Sequence, residues 1–159
     1  EVHCLDLEAD AWPRLEPFTA IICADILEHL RNPEAVLRRL AALLAPGGRV
    51  IVSIPNIANW KVRLQLLAGR FRYEEAGILD NTHLRFYTFT TFRELAEAEG
   101  FRLERFHITA NFPPKLYIYP RLERLFYPLN RRLYRLTAVQ FIVELRRAEK
   151  NDIVRATHE

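Results

Sequence analysis

Asp25, Glu28 and His29 bring two carboxylates and an imidazole together just where the apolar run Phe18 to Ala24 ends. If Asp25 begins a turn of helix, Glu28 and His29 stand at i+3 and i+4 and share its face. A second imidazole, His83, lies far downstream in the run Asp80-Asn81-Thr82-His83-Leu84-Arg85-Phe86. Two carboxylates and two imidazoles suit a hard or borderline divalent cation such as Mg²⁺, Mn²⁺ or Zn²⁺. Two other readings stand beside that one. An imidazole titrates near neutrality, so His29 or His83 suits a general base that deprotonates a substrate hydroxyl. Alternatively, Glu28 and His29 only stabilise a turn, with His29 donating to a backbone carbonyl. Asp80 and Arg85 flank His83, where they orient it, grip an anionic substrate or form a surface ion pair. His3, His107 and His158 read as structural or incidental.

The elements that must position these groups are legible. Val2 to Leu7 reads as a short strand ending near Asp6. Phe18 to Ala24 is too continuously apolar to keep a solvent face, which predicts a parallel strand covered by helices on both sides. Asn32 is a good helix N-cap, Pro33 suits the first helical position, and Glu34 complements the first-turn dipole. Val36, Leu37, Leu40, Ala41 and Leu44 then recur at helical spacing. Gly47 and Gly48 are expected to end that helix, and Val50 to Asn56 is a second strand. A strand–helix–strand unit of this kind predicts a right-handed crossover between parallel strands.

After Asn56 a helix is expected to bury Trp60, Leu64 and Leu67 on one face and to stop near Gly69. Residues 70–89 are polar, aromatic and irregular, long enough for a functional loop or lid. Thr91 to Glu94 reads as a capping box for a helix ending at Gly100, followed by a strand from Phe101 to Ile108. A proline-aromatic loop precedes an amphipathic helical segment from Arg121 with Leu122, Leu125, Phe126, Leu129, Leu133 and Leu136 on one stripe. Pro128 predicts a kink or two short helices there. Ala138 to Leu145 is a last strand, with a charged tail after it.

The chain is long enough for one domain with its own core, and half of its residues are apolar. No apolar run reaches the roughly 20 residues that cross a bilayer. Cys4 and Cys23, the two cysteines, are expected to be buried, reduced thiols of a cytoplasmic protein rather than a disulfide or a metal pair. The charge of +3 does not by itself call for nucleic acid. The sequence holds no methionine and opens at Glu1 inside a strand-like segment, so a piece of a longer polypeptide is expected.

The wording from Ala24 to Asn56, ADILEHL with NPEAVLRRLAALLAPGGRVIVSIPN, together with GILDNTHLRFYT, resembles class I S-adenosylmethionine (SAM) methyltransferases of the ubiquinone-pathway O-methyltransferase group. The type 11 and type 23 methyltransferase domains, found in bacterial glycan-biosynthesis clusters among other places, are similar. The resemblance runs from Val2 to Ile108. LAPGGRV is common across the superfamily, whereas the LEHL and THLRFYT runs are more specific.

It implies an α/β, Rossmann-like sheet, mostly parallel with an antiparallel last strand, entered here at its third strand with the N-terminal strands missing. Residues 1–110 would be the C-terminal half of the methyltransferase domain, 111–146 a helical insertion plus the final strand, and 147–159 a tail. SAM would be the methyl donor, with a hydroxyl of a small metabolite or of a glycan or lipid-linked precursor as acceptor. By position Asp6 and Leu7 would meet the adenine, and Ala24, Asp25 and Ile26 would line cofactor and substrate. Asp6 is otherwise an ordinary turn aspartate. Small-RNA 2′-O-methyltransferases carry a similar Glu-x-x-Glu-His with a distant His, where a metal binds the substrate hydroxyls. On that analogy Asp25, Glu28, His29 and His83 would hold Mg²⁺ or Zn²⁺, with Asp25 shorter than the glutamate those families use.

No Gly-x-Gly cofactor loop occurs in the sequence, and the ribose-binding acid has no counterpart. The rest of the site would come from an N-terminal half or from a second copy completing the sheet. A non-catalytic binding or dimerisation module is the alternative of a different class, because an apolar edge at Phe18 to Ala24 would recruit partners. A NAD-dependent oxidoreductase is a weaker third, since it needs the same glycine loop. Phe112 to Leu136 interleaves aromatics with arginines and suits an ordinary packed helix, a substrate lid, a dimer contact or a membrane-surface contact. Nucleic-acid binding by stacking is the weakest of these.

Overall fold

The computed structural model describes residues 4–9, 12–110 and 120–148. Its centre is a four-stranded sheet of β1 (Phe18–Ala24), β2 (Leu44–Pro55), β3 (Phe101–Ala110) and β4 (Ala138–Arg147), ordered β1-β2-β4-β3. β1 and β2 are parallel, while β4 lies antiparallel between β2 and β3. Three strands therefore run one way and the last strand in sequence runs against them, as expected.

α1 (Pro33–Ala42) joins β1 to β2. The Asn32 side chain accepts a hydrogen bond from the Ala35 amide at 3.1 Å, satisfying one of the orphan donors of the first turn. Val36, Leu37 and Leu40 are buried against the sheet. β2 alternates as a half-covered strand does, with Val50, Val52 and Ile54 fully buried. On the same core lie Phe141, Val143 and Leu145 of β4 and Phe89, Phe92 and Ala96 of α3 (Phe89–Ala98).

Several elements depart from the sequence reading. The helix ends at Ala42, before the glycines, and β2 has begun by Leu44. Gly47 and Gly48 instead make the jog where the β1–β2 register shifts. Gly47 has φ 73°, and a Cβ on Gly48 would stand 2.9 Å from the carbonyl oxygens of Phe18 and Ala45. The capping box of α3 sits three residues early, with Thr88 as N-cap and Thr91 at its third position. Cys4 to Leu7 pairs with no strand among the described residues, and a strand without a ladder partner leaves its backbone polar groups unmatched.

β1 differs most. It is the sheet edge, and Phe18, Ala20 and Ile22 are exposed, Ile22 at 69%. One of its faces is open because no helix or further strand among the described residues covers it. An apolar groove lined by Leu5, Trp12, Leu15, Phe18, Ile22 and Leu43 follows this edge.

In the C-terminal part, α4 (Pro120–Arg132) carries Pro128 without breaking there. The break falls at Leu133, before α5 (Tyr134–Thr137). Phe112, Tyr117 and Tyr119, and the tail beyond Ala148, lie outside the described residues.

Candidate active site

The carboxyl end of β1 does not continue into a regular turn of helix. Asp25 has a left-handed backbone, φ 51°, and only Leu27–His29 form a short 3₁₀ turn. Aspartate tolerates this conformation better than most residues, because its short polar side chain can bond locally. Here the Asp25 amide donates to Ser53 Oγ at 2.9 Å, Ser53 Oγ donates back to the Asp25 carboxylate at 3.0 Å, and Gln140 Nε2 donates to the same oxygen. Asp25 is therefore turned toward β2 and β4 and does not share a helix face with Glu28 and His29.

Glu28, His29 and His83 do come together. One donor atom from each lies within 4.8 Å of the other two. The imidazole rings meet edge to face with centroids 4.8 Å apart. The triad lines a cavity with Asp25, Pro55, Ile78, Asp80, Val139 and Gln140, at the carboxyl ends of β1 and β2, where open α/β sheets bind their ligands.

Each group is held by the backbone. Leu84 and Arg85 amides donate to the Glu28 carbonyl at 2.8 and 3.0 Å, which pins the loop carrying His83 onto the 3₁₀ turn. His29 Nδ1 lies 3.2 Å from both the carbonyl and the hydroxyl of Thr82. His83 Nδ1 lies 3.2 Å from the Ile78 carbonyl. A ring nitrogen facing a carbonyl carries the proton, so the Nε2 atoms of both histidines are left as lone-pair donors. Behind His29, the Asp80 carboxylate accepts from the Thr82 amide at 2.8 Å and its hydroxyl at 2.6 Å. These bonds hold the Asp80 carboxyl below its ordinary range.

Glu28 is the anomaly. The residue is 1% exposed, and among the described residues neither carboxylate oxygen has a hydrogen-bond partner. Burial lifts its pKa from 4.5 to about 7, and the neighbouring Asp25 charge adds to the rise. An orphaned buried carboxylate with a donor atom from each of two imidazoles within 4.8 Å fits a divalent cation by donor chemistry.

The remaining expected residues are dispersed. Asp6 and Leu7 line a polar cavity with Arg31, Asn32 and Arg39, and the Asp6 side chain accepts from the Glu8 amide at 2.9 Å, an Asx turn. Leu7 and Ile26 also meet in the apolar groove along β1, while Ala24 ends the strand exposed. Asp6 and Asp25 thus face different cavities. Among the described residues Arg85 pairs with no acid; its guanidinium donates to the Arg31 carbonyl at 2.7 Å. Ser53, Thr82 and Gln140 were not singled out by sequence. Asp80-Asn81-Thr82 does have the spacing of an Asx turn, and Ser53 is a lone hydroxyl in an apolar strand.

A methyltransferase-domain family profile matches residues 2–105. Ubiquinone biosynthesis O-methyltransferase of Aeromonas salmonicida is 33% identical over 88 residues, covering 54% of this chain and 36% of that protein. The Coxiella burnetii protein of the same name is 32% identical over 107 residues, 64% of this chain and 43% of that protein. The chain thus spans less than half the length of these relatives. Among solved structures, magnesium protoporphyrin IX methyltransferase from Synechocystis with bound SAH superposes with a TM-score of 0.52 at 19% identity, over 91% of this chain and 49% of that one. A putative methyltransferase from Bacillus halodurans gives 0.53 at 15%, over 91% and 70%. These likenesses establish the Rossmann-like methyltransferase fold, and the profile match over most of its length shows that this chain belongs to the class I SAM-dependent methyltransferase family.

Proposed function

We propose that the protein carrying this chain transfers a methyl group from SAM to a hydroxyl of a small metabolite or of a glycan or lipid-linked precursor, with a divalent cation at Glu28, His29 and His83. The observation that carries this reading is the buried, partnerless Glu28 carboxylate within 4.8 Å of two histidine donor atoms. In the reaction the sulfur–carbon bond of SAM breaks as the bond from methyl carbon to acceptor oxygen forms, and the hydroxyl proton must leave. A cation such as Mg²⁺ or Zn²⁺, when bound, lowers the pKa of a hydroxyl that reaches it.

The chain's own residues do the rest. Glu28, His29 and His83 would hold and aim the acceptor end of the cavity, and the Thr82 and Ile78 carbonyls fix the ring tautomers. Ser53 and Gln140 hold Asp25 at the junction of the strands, on the side where the resemblance places SAM. Alignment of donor and acceptor is the main requirement of an in-line displacement. Support for a hydroxyl acceptor comes from the ubiquinone O-methyltransferase relatives.

The test is methyl transfer from labelled SAM to hydroxylated acceptors by the full-length protein and by its Glu28→Gln, His29→Ala and His83→Ala variants. A fall of about 100-fold or more in each variant, with SAH affinity retained, supports the reading. Activity equal to that of the parent protein contradicts it.

A further inference from the structure

Two stretches outside the site turn leucines to solvent. In α2 (Trp60–Leu67) the buried side chain is Val62, not the expected Trp60–Leu64–Leu67 face. Leu64, Leu66 and Leu67 are exposed, Leu67 at 84%, and exposed Phe71 and Tyr73 follow. Along α4 and α5, Leu129, Leu133 and Leu136 are exposed at helical spacing. The stretches meet. Asn59, the N-cap of α2, donates through Nδ2 to the Thr137 and Ala138 carbonyls at 3.3 and 2.8 Å, and Asn56 Nδ2 donates to the Arg135 carbonyl at 3.3 Å.

Charge is segregated in the same way. Residues 60–73 hold four basic side chains and no acidic one, and residues 120–137 hold five and one, while the rest of the chain is net acidic. Among the described residues, Lys61, Arg63, Arg70 and Arg72 form no ion pair, and neither do Arg131, Arg132 and Arg135. Glu74 and Glu75 mark the end of the first basic stretch.

The geometry points to this face, α2 with residues 70–73 and the α4–α5 segment, as a docking surface for an anionic lipid bilayer. Of the cations, Arg63 donates to the Ala58 carbonyl, and Arg131 and Arg135 lie over the Phe106 and Tyr134 rings. Exposed apolar side chains flanked by cations outside any ion pair among the described residues match the headgroup region, where leucines enter the acyl boundary and cations meet lipid phosphates. Nucleic acid fits less well, since leucines rather than stacking aromatics dominate the apolar side chains between the cations. The face also adjoins the catalytic cavity. Ile78 and Val139 line that cavity and a second one against α2 with Lys61, Val62 and Gln65. Docking would set the cavity beside the lipid surface. Among the described residues no helix is long and apolar enough to cross a membrane, so the contact is peripheral.

The test is cosedimentation of the protein with vesicles of phosphatidylcholine alone and of phosphatidylcholine with phosphatidylglycerol, at low and high salt. Binding is expected only to the anionic vesicles, weakened by salt. Arg131→Ala and Arg135→Ala should each reduce it about fivefold, and the double variant Leu64→Ser/Leu67→Ser about tenfold or more. All of these side chains are exposed, so an unchanged melting curve confirms that the variants are folded. Absence of anionic-vesicle binding would overturn the proposal, and so would binding indifferent to the leucine substitutions. A parent protein that self-associates in analytical ultracentrifugation, and becomes monomeric on the leucine substitutions, would also overturn it by assigning the face to a second copy.

Discussion

His29 and His83 face each other edge on, 4.8 Å between ring centroids, each with Nδ1 against a backbone carbonyl. One ring belongs to the short turn after β1 and the other to the loop before α3, and the two Leu84 and Arg85 amides on the Glu28 carbonyl lock these segments together. The site is thus a junction of two loops at the carboxyl ends of β1 and β2, each tied to the other by backbone hydrogen bonds.

Glu28 makes stability depend on pH in cation-free buffer. Its folded-state pKa of about 7 lies above the ordinary 4.5, so between those values the native state binds more proton than the unfolded chain. Native stability should therefore fall as pH rises through that window. Urea unfolding of Glu28→Gln at pH 8 should show a gain of about 1–2 kcal/mol over the parent and a flatter pH profile. Added Mg²⁺ or Zn²⁺ should stabilise the parent and not the variant.

Thr82 acts on His29 from behind, through its carbonyl and hydroxyl and through Asp80. Thr82→Val keeps the shape but loses the hydroxyl. It should weaken cation affinity about 10-fold or more, with the melting temperature in chelator unchanged. Thr82→Ser should restore affinity.

Asp25 holds a left-handed backbone with Ser53 and Gln140 as its compensation. Asp25→Ala retains the strain and removes the bonds, and should cost about 1–3 kcal/mol in chemical denaturation. Asp25→Asn should cost less, because asparagine tolerates the same conformation and still bonds Ser53.

The two thiols should differ. Cys4 is exposed, against the expectation of two buried thiols, because Cys4 to Leu7 pairs with no strand among the described residues, whereas Cys23 is buried on β1 and its pKa is pushed up to about 11 by burial. Titration with a thiol reagent at pH 8 should label one cysteine quickly and the second only after unfolding.

Much of this architecture is legible in the residues themselves. Asn32-Pro33-Glu34 writes its helix start in local chemistry, and the apolar run from Val50 lies within β2. The triad is legible in part: Glu28 and His29 are adjacent, but their union with His83 depends on the loop path, which the Leu84 and Arg85 amides decide. The reading of Asp25 as a helical turn fails because spacing cannot report a positive φ. The coverage of β1 and of Leu64 and Leu67 fails for a related reason. Apolar composition marks a face that wants burial, but what covers it is a tertiary matter.

The most direct measurement is calorimetric titration of Mg²⁺, Mn²⁺ and Zn²⁺ into the metal-stripped protein and its Glu28→Gln, His29→Ala and His83→Ala variants. The account predicts one cation bound per chain, with affinity reduced at least about tenfold in every variant. No binding by the parent protein, or binding that all three variants retain, would contradict it.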